Sequence, residues 1–180
     1  MKQRLRKLIN DFFWSNRLRP FQFLPLRGVG VEVGVWRADF SLLILKHKDV
    51  TKLYLVDPYV YVGEAQMSYE SLMQGRKMAV DRMSRFKNRV EWISKNSIDA
   101  LGQLPEKLDF VYLDGDHKYE TVKTELPLYW DRIAPGGILG GHDFNCGWPG
   151  DDVIKAVTEF TVKNGLKLNV SSPDWWIVKT

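Results

Sequence analysis

Two groups of acidic residues and histidines sit late in the chain, Asp114-Gly115-Asp116-His117 and His142-Asp143. Carboxylates gathered in this way suit a hard divalent cation such as Mg²⁺, which takes oxygen ligands. Histidine is a poor Mg²⁺ ligand and suits Zn²⁺, Mn²⁺ or Fe²⁺ better. A bound ion can polarise an acceptor hydroxyl while a neighbouring histidine takes its proton. The same residues also have a plain structural use, Asp114 and His117 as caps of a following helix and His142 as filling at a sheet edge. A metal-free reaction with His117 as base is equally compatible with them. Upstream, Gly34 permits a tight turn and a close approach of backbone to a ligand. Asp57 follows about twenty residues later, where a carboxylate can accept both hydroxyls of a ribose. Taken singly, Gly34 is an ordinary strand-to-helix turn and Asp57 an exposed turn before Pro58. The two together at this spacing point to a nucleotide-like cofactor.

These residues need a frame, and the apolar pattern supplies one. Short runs at Val29–Val33, Lys52–Val56, Arg89–Ile93, Leu108–Leu113, Gly137–Gly141, Leu166–Val170 and Trp175–Val178 read as strands. Helices are expected over Asp39–Lys48, Ser68–Phe86, Ser97–Leu104, Tyr119–Ile133 and Asp151–Asn164, with a kink or early end at Pro127 and Gly165 as the residue after the last of them. Strands alternating with helices imply a parallel sheet covered on both faces. The four-residue link Ser171–Asp174 is too short for a parallel crossover, so the last strand should run antiparallel. In such sheets ligands bind beyond the carboxyl ends of the strands. Glu32 with Gly34, Asp57, Asn96 with Ser97, Asp114 to His117, and His142 with Asp143 all fall there.

Other nucleotide signatures fit poorly. A dinucleotide fingerprint starting at Gly28 and Gly30 needs its third glycine at position 33, which is Val33. No Gly-Lys-Ser or Gly-Lys-Thr of a P-loop occurs. Instead, Val31-Glu32-Val33-Gly34-Val35-Trp36-Arg37-Ala38-Asp39-Phe40-Ser41 resembles the first motif of class I S-adenosyl-L-methionine-dependent methyltransferases, and Leu55-Val56-Asp57-Pro58 resembles their second. Tyr112 to Glu120 and Pro135 to Phe144 are similar to the branch that includes macrolide-sugar O-methyltransferases and cephalosporin-hydroxylase-like proteins. The resemblance runs from Val29 to the end of the chain. It implies a Rossmann-like α/β fold with a mostly parallel seven-stranded sheet. It also implies a transferase that methylates a small-molecule hydroxyl.

By the same resemblance, Glu32 and Gly34 would face the methionine end of the cofactor, Asp57 the ribose, and Asn96 and Ser97 the adenine edge, with Asp114 beside them. Asp114 would bind metal, His117 would be the base, and His142 with Asp143 would complete the metal site. The relatives usually carry an acidic pair or Asp-Asn where this chain has His142-Asp143. They also carry a second glycine where it has Ala38, so a wider turn is expected there. Tyr59 to Met78 contributes Tyr59, Tyr61, Met67, Tyr69, Leu72 and Met73, either as an acceptor lid or as an ordinary helix with a core stripe. Trp148, Trp175 and Trp176 are further candidates for lining a pocket, with core packing as their alternative use.

Composition is compatible with this reading. The chain has 180 residues, 44% of them hydrophobic, enough for one domain with a single sizeable core. Residues 1–27 read as an amphipathic helix and linker, with Leu5, Leu8, Ile9, Phe12 and Phe13 on one face, and residues 28–180 as the cofactor-binding domain. The net charge of +4 is weighted toward that front segment. A solvated helix face explains it, and anionic lipid or nucleic acid are the alternatives. No base-modifying Asn-Pro-Pro-Tyr motif supports an RNA substrate. The lone Cys146, the lack of a signal peptide and the lack of an apolar run near the ~20 residues of a membrane span suggest a cytoplasmic setting. A homodimer, or the front helix, would close a site for which so short a chain has no separate domain. A non-catalytic module that binds nucleosides or a partner on the same fold remains the alternative.

Overall fold

In the computed structural model, residues 28–46, 49–60, 68–144 and 151–180 are described. The expected front helix and linker, the stretch 61–67 of the expected lid, Cys146 and Trp148 lie outside them. The seven expected strands form: β1 Gly28–Val33, β2 Val50–Val56, β3 Val90–Ile93, β4 Leu108–Leu113, β5 Ile133–Gly141, β6 Leu168–Ser171 and β7 Asp174–Val178. They make one sheet in the order β3-β2-β1-β4-β5-β7-β6. The first five pair in parallel, and β7 runs antiparallel to both β5 and β6. The chain leaves the β3 edge and returns on the far side of β1, so the order reverses between β1 and β4. That is where parallel sheets open a ligand crevice.

The helices are α1 Asp39–Lys46, α2 Tyr69–Met83, α3 Ser97–Ala100, α4 Tyr119–Arg132 and α5 Asp152–Lys163. Strand residues alternate between two cores. Val31, Val33, Val111 and Leu113 meet Ala100, Val122, Leu126, Val153 and Val157 on one face. Leu53, Leu55, Phe110 and Tyr112 meet Phe40, Ile44, Ala79 and Met83 on the other. Each fully buried Leu, Val or Phe in these layers contributes about 1.5–3 kcal/mol. Among the described residues no helix is long and apolar enough to cross a membrane.

Several boundaries differ from the expected ones for local reasons. Ser68 caps α2 by accepting the Ser71 N–H at 3.2 Å, so the helix starts one residue later. Pro127 neither ends nor breaks α4. It lies on the exposed side while Val122, Glu125, Leu126 and Tyr129 anchor the buried side. β5 begins at Ile133 rather than Gly137 because Ile133 already pairs with Leu108. The β6–β7 link shrinks to Ser172-Pro173, since Ser171 pairs with Asp174. Gly165 does follow α5 in the left-handed conformation expected of it, with φ 62°.

Register matters most for function. Val33 pairs with both Val56 and Leu113, Val56 with Ile93, and Leu113 with Gly141. One row therefore crosses five strands. The residues immediately beyond it on four of them are Gly34, Asp57, Asp114 and His142.

Candidate functional site

The rim begins at Gly34, whose φ of 84° belongs to the left-handed region. A β-carbon there would lie 1.9 Å from the Asp114 carbonyl oxygen, so neither the conformation nor the space admits a side chain. β1 and β4 are held at this closeness by the Asp114 N–H donating to the Val33 carbonyl at 2.8 Å. The next turn closes through the Ala38 N–H and the Val35 carbonyl at 2.7 Å. Ala38, where a wider turn is expected, is the residue that closes it. It takes the left-handed conformation itself, with φ 57°, and its methyl is fully buried. That conformation costs an alanine about 1–2 kcal/mol, which burial of the methyl partly offsets.

Asp57 holds this turn from β2. One carboxylate oxygen, Oδ2, accepts the N–H groups of Val35 and Trp36, both at 2.9 Å, and Oδ1 accepts that of Tyr59 at 2.8 Å. A carboxylate offers about four acceptor positions, and these amides take three of them. Asp57→Ala is accordingly expected to do more than weaken cofactor binding. Three amides lose their acceptor, and stability should fall by about 2–3 kcal/mol together with affinity for S-adenosylhomocysteine. Thermal melting and calorimetry on the same variant check this; loss of affinity at unchanged stability would make Asp57 a ligand contact only.

Glu32 is buried under the turn, 1% exposed, and takes a short hydrogen bond from the Ser41 hydroxyl of α1. Asn96 is the N-cap of α3. Its Oδ1 accepts the Asp99 N–H at 2.8 Å and its Nδ2 donates to the Asp99 carboxylate at 2.7 Å. Ser97 is gripped from α4 at two points, by the Tyr129 hydroxyl on its carbonyl at 2.8 Å and by Glu125 on its hydroxyl. The structure thus spends on capping and packing the side chains expected at the adenine edge. Burial drives the Tyr129 phenol upward, so it stays a donor. Burial also pushes the Glu125 carboxyl up to about 7, with the Ser97 hydroxyl opposing and Asp116 adding to the rise. Glu125 was not singled out from the sequence, although its place on the Val122, Leu126, Tyr129 face was a readable signal.

Beyond β4 and β5 the acid and histidine groups meet. Asp114, His117 and Asp143 each offer a ligand atom, all within 4.8 Å of one another. Asp143, itself left-handed with φ 62°, bridges two imidazoles. His117 Nδ1 is 3.1 Å from its Oδ2, and His142 Nδ1 is 3.1 Å from its Oδ1. His142 Nδ1 is also 3.7 Å from Asp114. Of the expected trio, Asp114 and Asp143 share that group with His117, whereas His142 contacts both carboxylates without belonging to it. The helix-cap alternative for Asp114 and His117 does not hold, because the first amide of α4, Tyr119 N–H, goes to the Asp152 carboxylate at 3.2 Å. Asp116 accepts the Lys118 N–H at 3.2 Å and the Thr121 hydroxyl at 2.8 Å. An Nδ1–H directed at a carboxylate leaves Nε2 as the acceptor, and His117 is half exposed, so its Nε2 is open to an acceptor hydroxyl. Trp175 sits behind the rim, 1% exposed, donating to the His142 carbonyl at 3.2 Å, which is the core use of that tryptophan.

A 3-2-1-4-5-7-6 sheet with its ligand-binding features on the carboxyl rim defines the class I methyltransferase architecture. Residues 29–144 match the family described as methyltransferase domain, and the chain belongs to it. Among curated relatives, uncharacterized protein R132 of Acanthamoeba polyphaga mimivirus is 24% identical over 119 residues, 63% of this chain and 50% of that protein. The chain thus spans about half the length of the curated relative it matches. Among solved structures, SMU.1697c, a putative methyltransferase from Streptococcus mutans in complex with SAH, matches with a TM-score of 0.64 at 16% identity, covering 94% of this chain and 97% of that one. The O-methyltransferase from Bacillus cereus, also in complex with SAH, matches at 0.59 and 16%, over 93% and 79%. At these identities the structures establish the shared fold.

Proposed function

We propose that the protein transfers a methyl group from S-adenosyl-L-methionine to a hydroxyl of a small molecule, with His117 as the base. The observation that carries this reading is the His117–Asp143 pair, one strand away from the Gly34–Asp57 turn. Asp143 orients the imidazole and fixes its tautomer. As the acceptor oxygen bonds to the methyl carbon, the carbon–sulfur bond breaks and its electron pair neutralises the sulfonium. The hydroxyl proton passes to His117 Nε2. In-line placement of oxygen, carbon and sulfur is what the rim must supply. The sugar-modifying relatives imply a divalent ion, and the Asp114 and Asp143 carboxylates would hold it beside His142, which contacts both, leaving His117 as the base. Mixed oxygen and nitrogen ligands suit Mn²⁺, Fe²⁺ or Zn²⁺ better than Mg²⁺. Such an ion would supply polarisation of the acceptor oxygen.

Radiolabelled methyl transfer to a panel of hydroxylated small molecules, with and without chelator, tests the reading. His117→Ala should lower kcat by about 10²–10⁴-fold while calorimetric affinity for S-adenosylhomocysteine stays within twofold. Failure to bind either S-adenosylmethionine or S-adenosylhomocysteine would overturn the reading. Binding without transfer to any acceptor class would favour the non-catalytic module.

A further inference from the structure

Three arginines converge on the turn after β1. Arg82 of α2 is spent, pairing with Asp39 at 2.7 Å and donating to the Arg37 carbonyl at 2.7 Å. Arg37 instead lays its guanidinium over the Trp36 ring, 4.0 Å from the centroid, and Arg76 lies 5.6 Å from the centroid of Tyr59. Neither has an acidic partner among the described residues. The two rings belong to one built unit. The Tyr59 hydroxyl donates to the Trp36 carbonyl at 2.8 Å, and Asp57 takes the amides of both residues. Both also hold left-handed backbone conformations, with φ 45° and 47°. Bulky side chains avoid that region, and such conformations concentrate where a ligand is clamped. From the other side, α2 closes on the turn at Gly75. A β-carbon there would stand 2.8 Å from the Trp36 indole and 3.7 Å from Arg37 Cγ. That approach brings the next residue, Arg76, alongside.

We propose that Arg37 and Arg76, set on the rings of Trp36 and Tyr59, form a subsite for an oxyanion, a carboxylate or phosphate, beside the cofactor turn. A guanidinium lying on an aromatic ring keeps its N–H edge outward, the edge that grips such anions in plane. Trp36 is 39% exposed and Arg76 is exposed, while Tyr59 is buried at 6%, so a ligand reaches the guanidiniums and the indole rather than the phenol ring. The anion has two sources, the amino-acid carboxylate of the cofactor or an acidic group on the acceptor. This choice of sources rests on the methyltransferase reading, whereas the subsite itself does not.

Calorimetry on the wild type and on Arg37→Gln, Arg76→Gln and the double variant tests the subsite with three probes. These are S-adenosylhomocysteine, 5′-methylthioadenosine, which lacks the amino-acid carboxylate, and inorganic phosphate with and without saturating S-adenosylhomocysteine. If the cofactor supplies the anion, the double variant binds S-adenosylhomocysteine about tenfold or more weakly and 5′-methylthioadenosine as before. If the acceptor supplies it, both nucleosides bind as before, and phosphate binding to the S-adenosylhomocysteine-loaded wild type is lost in the variants. Lysine at both positions should restore part of the binding, and melting curves confirm that each variant is folded. The neighbouring exposed cation is the control, so Lys77→Gln should change nothing. Unchanged binding of all three probes, or an equal loss in Lys77→Gln, overturns the subsite. A wild type that binds neither nucleoside would sink the methyltransferase reading instead, and phosphate binding to the free protein would still decide the subsite.

Discussion

Gly34→Ala is expected to destabilise the protein by about 2–5 kcal/mol, from a left-handed backbone cost of ~1–2 and an overpacking cost of ~1–3, and to abolish measurable binding of S-adenosylhomocysteine. The added methyl would meet only backbone: the Asp114 carbonyl oxygen at 1.9 Å, its carbon at 2.4 Å and the Gly115 Cα at 2.7 Å. No side chain can rotate aside, so β1 and β4 must part where the Asp114 N–H bonds to the Val33 carbonyl. That movement displaces Asp114, and with it the geometry shared with His117 and Asp143. A misplacement of about 1 Å at reacting groups can cost on the order of 100-fold in rate. Gly102→Ala is the matched control. Nothing lies within 4 Å of its added carbon and its φ is not positive, so its stability should stay within about 1 kcal/mol of wild type. Urea denaturation and calorimetry read both. A folded Gly34→Ala protein of ordinary stability would show that the close crossing of β1 and β4 is not what the site depends on.

The parts of the site legible in the sequence were those set by backbone period and strand-end position. Gly34, Asp57, Asp114 and His142 each follow an apolar run, and parallel register then aligns them whatever their side chains do. Side-chain direction was not legible. Asn96 sits at a strand end just as Asp57 does, yet it follows β3 by three residues, and there its short amide finds the Asp99 N–H first. Asp116 and Asp114 are two residues apart in one motif. Only the conformation of the loop decides that Asp116 turns to the helix while Asp114 faces Asp143 and His142. Spacing located the metal candidates, whereas the membership of His117 in the cluster depends on the left-handed conformation of Asp143, which no local pattern announces.

Glu125 carries the second large expected effect, a stability that falls as pH rises through neutrality. Its carboxyl is 2% exposed, and burial first, then Asp116, raise it from 4.5 to about 7 against the pull of the Ser97 hydroxyl. The folded form therefore holds the proton more tightly than the unfolded one. The stability this contributes is fully present below about pH 4.5 and is lost as pH passes through about 7. The shift corresponds to about 3–4 kcal/mol at roughly 1.4 kcal/mol per unit. Glu125→Gln keeps the shape and a hydrogen-bonding partner for Ser97 but cannot ionise. Urea denaturation from pH 5 to 8.5 should show the variant overtaking wild type as pH rises, with the gap complete near pH 8. Parallel curves would mean that the carboxyl titrates as an ordinary surface acid. The consequence reaches the rim because Glu125 and Tyr129 hold Ser97 together, and α4 begins at the loop that carries His117. Ionising Glu125 puts an uncompensated charge in the cleft that it lines with Asp116, His117 and His142, beyond β4 and β5. Affinity for S-adenosylhomocysteine should then weaken over the same pH interval in wild type and stay flat in Glu125→Gln. A pH dependence of affinity that survives the substitution would overturn its assignment to Glu125.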